Sequence, residues 1–281
     1  MKSIPKRGIL FAATGPKYLR LGIRAARSAR AANPGVAIDL ATDQPERPNV
    51  FDEVRSLSSS SRHAKLHAMP ETRFEQTLFL DCDLFVLANI EDVFSVLDRF
   101  DIALAHDQFR SSERARNTCW RAFANAYPQF NSGVIAYRRT EPVLAFLRNW
   151  RDAVLTSQAR YDQPSLRELI WQSPLRIATL PPEYNFMCYK QLRAWSKDQS
   201  APRILHHPHF HAQDSQSLAA VPTILELMGA PLTRKLRRAL AWDAEVRNEM
   251  LIRPSASDGA RGWLRWLLKK VSQALRLRND R

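Results

Sequence analysis

Two aspartates, two positions apart, follow an apolar segment and form the pair whose spacing most directly suggests chemistry. The segment is 78–80, and the acids Asp81 and Asp83 flank Cys82. Ligands of α/β sheets bind at the carboxyl ends of strands, where two adjacent carboxylates repel each other unless a cation lies between them. We therefore predict that Asp81 and Asp83 bind Mg²⁺ or Mn²⁺. The alternative is a turn in which one aspartate caps the next segment.

Strands and helices are predicted to alternate around these acids. Apolar strands are predicted at 8–13, 36–41, 54–57, 77–80, 84–87, 102–105, 134–137, 175–180 and 203–205. Helices are predicted at 16–32, 62–69, 141–156 and 162–171. This alternation predicts an α/β domain with a mostly parallel central sheet. Because no linker interrupts it, we predict one domain at 1–230 and a basic, helical C-terminal extension at 231–281.

The positive charge of the chain is concentrated in that extension. The 281 residues have a formal net charge of +14, and residues 234–281 contain 13 Lys and Arg against 5 Asp and Glu, a net charge of +8. Within residues 262–278, tryptophan and leucine fall on one side of a helix, and lysine and arginine fall mostly on the other. This composition is typical of a helix in a membrane interface, so we predict contact with an anionic membrane surface. The alternative is a terminal helix docked on the body.

Composition excludes several classes of protein. With 45% hydrophobic and 25% charged residues the chain is not predominantly disordered, and no apolar run is long enough to span a bilayer. Three scattered cysteines favour neither a disulfide framework nor a zinc site, so we expect a cytoplasmic protein. The charge leaves a nucleic-acid-binding protein as an alternative, although no helix-turn-helix, RRM, KH or zinc pattern accompanies it.

Two enzyme classes carry such an acid pair after a strand. In phosphatases of the haloacid dehalogenase type the first aspartate is a nucleophile, and the pair comes near the start of the domain. Here a β-α-β unit precedes the pair, and no adjacent Asp-Asp pair follows. In nucleotide-sugar transfer, the acids hold a metal that neutralises a diphosphate leaving group.

Further segments of the chain match one family in the expected order. They are Ala12-Ala13-Thr14 with Tyr18, Ala64-Lys65-Leu66-His67, 80–94, Ala105-His106-Asp107, Phe130-Asn131-Ser132-Gly133-Val134, Tyr161-Asp162-Gln163, 180–185 and Ile204-Leu205-His206. Through them, residues 8–210 resemble the GT-A glycosyltransferases of the glycogenin and bacterial family 8 type. The resemblance implies a GT-A fold, a UDP-sugar donor and transfer with retention at the anomeric carbon.

The resemblance also implies roles for individual side chains. Asp81, Asp83 and His206 would hold Mn²⁺ or Mg²⁺, although neighbouring histidines leave the choice of histidine open. The donor would contact Ala13, Thr14, Tyr18, Lys65, Asp81, Asp107 and Asn131. The alternatives are an exposed helix lysine for Lys65 and a turn residue for Asn131.

Catalysis is implied for Asp162 and Gln163, which would lie under the anomeric carbon where positive charge develops. The alternative for both is helix capping. Together with the basic tail, the resemblance predicts a glycan or lipid-linked acceptor. The enzyme would bind this acceptor at the cytoplasmic face of a membrane.

The segment after His206 departs from the family pattern. The family follows its metal-binding histidine with glycine and then a Lys-Pro-Trp segment, whose lysine contacts the diphosphate. Residues 207–214 contain neither feature. Either an arginine, Arg203 or one from the basic extension, replaces that lysine, or catalysis is altered.

Overall fold

The computed structural model describes residues 5–57, 63–112, 121–157, 161–207, 210 and 224–251. Its nine strands are β1 (Arg7–Ala13), β2 (Ala37–Thr42), β3 (Glu53–Ser56), β4 (Gln76–Leu80), β5 (Leu84–Val86), β6 (Ile102–His106), β7 (Phe130–Arg138), β8 (Ile177–Leu180) and β9 (Ile204–His206). Seven of them form one sheet in the order β3-β2-β1-β4-β7-β6-β8, and β5 pairs with β9 separately.

The helices of the described residues connect these strands. They are α1 (Gly15–Ala32), α2 (Ala64–Ala68), α3 (Val93–Val96), α4 (Glu141–Ser157), α5 (Gln163–Gln172) and α6 (Ile224–Leu251). Three 3₁₀ segments are at Met69–Glu71, Pro182–Asn185 and Tyr189–Ala194. None of the helices in the described part of the chain is long and apolar enough to span a membrane.

The seven-stranded sheet is parallel except for β7. Strand β7 pairs antiparallel with β4 on one side and β6 on the other, whereas the remaining pairs are parallel. The predicted α/β fold with a mostly parallel central sheet is therefore confirmed. Because β7 runs in the opposite direction, its first residues lie beside the carboxyl ends of β4 and β6, the edge where ligands of α/β sheets bind.

Both faces of the central strands β1, β4 and β7 are buried, which explains why β1 and β4 are apolar without alternation. Helix α1 covers one face with small residues, including Ala25, Ala26 and Ala29. Helix α4 covers the other face with larger ones, including Phe146 and Trp150. These two layers hold the strand ends, and the polar residues that follow them, in fixed positions.

Strand β7 is longer at its start than predicted. It begins at Phe130 rather than residue 134, so Asn131 is a strand residue and not part of a turn. The polar residues at its start obscured the strand in the sequence. They remain paired with β6 through a change of register between Leu104 and Ala105.

Helix α6 packs on the body of the protein. Its Met228 and Leu236 join a cluster with Phe186, Leu205 and Phe210. The helix changes direction at Gly229, where φ is +75°, and the boundary predicted between residues 230 and 231 falls inside it. The predicted interfacial segment 262–278 lies outside the described residues.

Candidate functional site

A cleft of about 270 Å³ opens at the carboxyl ends of β1 and β4. Its wall consists of the loop after β1, the start of helix α2, the turn after β4 and the two residues directly before α5. The lining residues are Ala12, Thr14, Tyr18, His63, Ala64, Lys65, Asp81, Cys82, Asp83, Tyr161 and Asp162. Six of the side chains predicted from the sequence therefore meet in one cleft.

The three residues predicted as metal ligands lie together. Asp81 follows β4, Asp83 precedes β5, and His206 ends β9, where it pairs with Leu84. One potential ligand atom from each of the three lies within 4.8 Å of the others. The Nε2 atom of His206 is 3.2 Å from Oδ1 of Asp83. Two carboxylates and an imidazole are a donor set that suits Mn²⁺ or Mg²⁺.

Asn185 orients the imidazole of His206. Its Oδ1 is 2.8 Å from Nδ1 of His206, and both side chains are buried. Because an amide oxygen only accepts hydrogen bonds, Nδ1 carries the proton and Nε2 points its lone pair at the acids when the ring is neutral. This function of Asn185 was missed, since the sequence places it in the 180–185 motif without any pattern that links it to His206.

The absence of a side chain at Gly133 lets His206 and Asp81 pack close to the backbone of β7. The carbonyl of Gly133 accepts a hydrogen bond of 2.9 Å from the N–H of Asp81. A Cβ atom at this position would lie 2.5 Å from Cε1 of His206 and 3.0 Å from Oδ2 of Asp81. Both distances are shorter than ordinary van der Waals contact, so the site has this shape only with glycine.

Lys65 links the metal-site acids to Asp162. Its Nζ is 3.4 Å from Oδ2 of Asp81 and 3.0 Å from Oδ2 of Asp162. It also donates a hydrogen bond of 2.8 Å to Oγ of Ser132, which in turn donates one of 2.8 Å to Oδ1 of Asp162. Lys65 is therefore a mostly buried cation with two carboxylate partners. Ser132, which completes the network, was not predicted from the sequence.

This network gives the two acids different pKa values. Burial raises the pKa of Asp81, and Asp83 raises it further, against the attraction of Lys65. Burial also favours the neutral form of Asp162, but Lys65 and the hydrogen bond from Ser132 outweigh it and lower the pKa. Asp162 is thus held as a carboxylate at neutral pH, at the wall of the cleft.

The loop after β1 forms the lip of the cleft. Thr14 of this loop and Tyr18 of helix α1 line the cleft, whereas Ala13, the last residue of β1, is buried in the core. Tyr18 is 43% exposed, enough for its ring to contact a bound ligand. Burial of its hydroxyl and the nearby Asp83 raise the pKa of Tyr18.

Five predicted residues lie outside the lining of this cleft: Ala13 and His206, described above, and Asp107, Asn131 and Gln163. Asp107 is buried and accepts a hydrogen bond of 2.8 Å from the N–H of Phe109. Asn131 is buried, with Oδ1 accepting from the N–H of Gly133 at 2.8 Å. Gln163 is 4% exposed, and among the described residues its Oε1 has no hydrogen-bond partner. Their predicted contacts with a donor remain predictions.

The structure gives Arg203 a partner other than a diphosphate. Its guanidinium is buried in an ion pair with Asp243 of α6. Arg24 is the arginine near Asp83: it donates to the carbonyl of Leu84 at 3.3 Å, and its guanidinium lies 3.9 Å from the centre of the Phe210 ring. Burial is the main cause that lowers the pKa of Arg24, to about 10.

The histidines that follow His206 were the alternatives to it as a metal ligand. His207 contacts the ring of Tyr189, and His209 and His211 lie outside the described residues.

The state of His206 predicts how metal binding depends on pH. Burial alone would lower the pKa of His206, but Asp83 and Asp81 outweigh it and raise the value above its usual range. A proton and a metal ion compete for Nε2, so the affinity for Mn²⁺ should rise as pH increases and level off once the ring is neutral. Titration of free Mn²⁺ by electron paramagnetic resonance at several pH values measures this.

A variant of a second strand-end histidine provides the control. The pKa of His106 is lowered, chiefly by burial, and His106 is not among the three grouped ligands. His106→Gln should keep the pH dependence of the Mn²⁺ affinity. His206→Gln should bind Mn²⁺ weakly, and its affinity should change less with pH. An affinity for Mn²⁺ that does not change with pH would contradict the role of His206.

Comparisons with known proteins address the family and the fold of the chain. Residues 27–215 match the family described as nucleotide-diphospho-sugar transferase. No curated protein matches the chain by sequence.

Solved structures show the same fold at low sequence identity. The galactosyltransferase LgtC, in complex with donor and acceptor sugar analogs, is 15% identical with a TM-score of 0.51, over 82% of this chain and 95% of that one. The apo form of the glycosyltransferase GlyE of Streptococcus pneumoniae TIGR4 is 18% identical with a TM-score of 0.53, over 84% of this chain and 63% of that one. The predicted GT-A fold is therefore confirmed.

Proposed function

The chain belongs to the nucleotide-diphospho-sugar transferase family and is a glycosyltransferase, and from this premise we propose that it transfers a sugar from a UDP-sugar to a glycan or lipid-linked acceptor. We further propose that the reaction requires a divalent cation and retains the configuration at the anomeric carbon. Membership of this family favours sugar transfer over the phosphatase and nucleic-acid alternatives.

The observation that carries the proposal is the grouping of His206 with Asp81 and Asp83, two acids that line the cleft, with one ligand atom of each within 4.8 Å of the others. These residues fit a divalent cation, because Asn185 fixes the histidine and Gly133 leaves space around it. A bound Mn²⁺ or Mg²⁺ would supply Lewis-acid stabilisation of the charge on the departing diphosphate. The acids themselves attract the cation, since three carboxylates line the cleft, those of Asp81, Asp83 and Asp162, and Lys65 contacts two of them, Asp81 and Asp162.

The role we propose for Lys65 is to hold Asp162 in place and ionised. The ammonium and the hydroxyl of Ser132 each contact one oxygen of Asp162, so the carboxylate is oriented from two sides. A negative group fixed near the anomeric carbon stabilises the positive charge that develops there when the diphosphate leaves. Gln163, next to Asp162 and with an unused amide oxygen among the described contacts, would add a dipole of the same sign.

The donor is proposed to lie between the lip of the cleft and the acids. Thr14 and the half-exposed ring of Tyr18 would contact uridine, with Ala13 supporting the loop from below. Asp107 and Asn131 would contact the sugar. Asn131 can do so through the second lone pair of Oδ1, which already accepts from Gly133, or through the second N–H of Nδ2, which already donates to Sδ of Met187. A complex of LgtC with donor and acceptor sugar analogs supports a cleft that takes both substrates.

The acceptor is proposed to lie at an anionic membrane surface on the cytoplasmic side. The support for this is the basic amphipathic pattern of residues 262–278 in the sequence. We therefore expect peripheral association of the enzyme with the membrane.

Thermal unfolding tests the proposed donor and metal together. UDP and Mn²⁺ added together should raise Tm by several degrees, because a ligand that binds only the folded state stabilises it by mass action. Each alone should have a smaller effect, since Asp81, Asp83 and His206 would hold the cation and its positive charge would favour binding of the diphosphate. Slow, Mn²⁺-dependent release of UDP from a panel of UDP-sugars then identifies the donor. No shift and no hydrolysis with any nucleotide-sugar would contradict the proposal.

A further inference from the structure

A second cavity, of about 400 Å³, lies between helix α6 and the segment that follows the 3₁₀ segment Tyr189–Ala194. Cationic and tryptophan side chains dominate its lining: Lys197, Arg234, Lys235 and Arg238, with Trp195 and Trp242. We call this cavity the basic groove. None of the described residues that line it is acidic.

The basic groove is a fixed part of the fold. Its residues on α6 recur at three- and four-residue intervals and therefore share one face of the helix. The opposite face buries Leu236 against the body, and Asp243 pairs with the buried Arg203. Lys235 also donates a hydrogen bond to the carbonyl of Arg193, which joins the two walls.

The side chains that line the groove offer hydrogen-bond donors and almost no acceptors. Guanidinium, ammonium and indole groups only donate, and the hydroxyl of Ser196 is the one side chain of the described lining that can also accept. The buried Nε1 of Trp195 has no hydrogen-bond partner among the described residues. A neutral sugar, whose hydroxyls both donate and accept, fits such a lining poorly. A phosphate, which is anionic and accepts only, fits it well.

The two tryptophans favour a lipid as the carrier of that phosphate. Indole rings combine an apolar face with a polar N–H, and they concentrate at the interface between headgroups and acyl chains. Helix α6 also precedes the basic amphipathic segment 262–278 in the chain. We propose that the basic groove binds the phosphate of an anionic phospholipid headgroup and holds the catalytic domain against a membrane.

This site is separate from the donor cleft, and the inference goes beyond the proposed function. It depends neither on the metal nor on the identity of the sugar. It differs as well from the proposed contact through 262–278, because it assigns a defined headgroup site to the described part of the chain.

Vesicle binding by the full-length protein tests the inference with a matched pair of variants. Arg238 lines the groove, whereas Arg237 is an exposed neighbour on the same helix outside the lining. Arg238→Glu and Arg237→Glu change the net charge equally. With vesicles of phosphatidylcholine and phosphatidylglycerol, Arg238→Glu should weaken binding about tenfold and Arg237→Glu no more than about threefold, since a charge in contact with the surface contributes most.

A second variant lies on the opposite wall of the groove. Lys197→Glu should weaken vesicle binding to a similar extent as Arg238→Glu, although it is outside α6. Both variants should keep the Tm of the wild type measured without ligand, which shows that the domain is folded. A loss of lipid binding with that Tm intact supports the groove whatever the reaction is.

Three outcomes would overturn the inference. Equal losses in Arg237→Glu and Arg238→Glu would show general attraction of a basic protein to the vesicle. Unchanged binding in Arg238→Glu and Lys197→Glu would show that the groove takes no headgroup. If soluble glycerol 3-phosphate raises the Tm of the wild type but not of Arg238→Glu, and vesicle binding is equal in both, the groove is a site for a soluble phosphate ester instead.

Discussion

Replacing Asp83 with asparagine should reduce Mn²⁺-dependent hydrolysis of the UDP-sugar donor by about a thousandfold, while the domain remains folded. The substitution keeps the shape of the side chain and removes one of the two charges that would hold the cation. Lewis-acid stabilisation of a leaving diphosphate contributes several kcal/mol, and about 4 kcal/mol corresponds to this loss in rate. Asp83 is a better residue to substitute than Asp81, because Asp81 also contacts Lys65. Loss of that contact would free Lys65 and so disturb Asp162, its other partner.

The measurements are UDP release at saturating Mn²⁺ and Tm with and without UDP and Mn²⁺. Asp98→Asn is the matched control, because Asp98 is mostly exposed and its contact with Arg7 is long, at 3.9 Å. It should retain activity within about twofold, as expected for a surface ion pair of little energetic value. Turnover of Asp83→Asn close to that of Asp98→Asn would remove the proposed role of the metal site.

The sequence predicted most of the fold because its elements carry local signals. Helix α1 was predicted at 16–32 and spans Gly15–Ala32, since proline marks its start and Asn33 with a following proline marks its end. Strand β7 was predicted too short, because Asn131 and Ser132 interrupt its apolar run. Those polar residues belong to the site, so the local pattern failed where function placed polar groups inside a strand.

The site was predictable only in part, for a related reason. Asp81 and Asp83 are close in sequence, and their spacing after a strand is a local pattern. The contacts that orient them are not local: Asn185 and His206 are 21 positions apart, and Lys65 and Ser132 are 67 positions apart. No spacing rule connects such pairs, since they meet only through the antiparallel course of β7 and the pairing of β5 with β9.

Gly133→Ala should lower donor hydrolysis about a hundredfold, because displacing a site residue by about 1 Å costs that much in rate. A Cβ atom on Gly133 would lie 2.5 Å from Cε1 of His206 and 3.0 Å from Oδ2 of Asp81, so both ligands must move. The free energy of unfolding should fall by about 1–3 kcal/mol, the usual cost of an added methyl group in a packed interior. Donor hydrolysis and urea denaturation measure the two effects.

Gly35→Ala separates the effect of space from the effect of the substitution itself. Neither glycine has a positive φ, and a Cβ atom on Gly35 would meet nothing within 4 Å. Gly35→Ala should therefore keep full activity and gain up to about 1 kcal/mol in stability, because alanine restricts the unfolded chain. If Gly133→Ala is unstable yet binds Mn²⁺ as tightly as the wild type, Gly133 serves packing alone. A Gly133→Ala variant that is active and as stable as Gly35→Ala would show that His206 and Asp81 do not approach as closely as the structure places them.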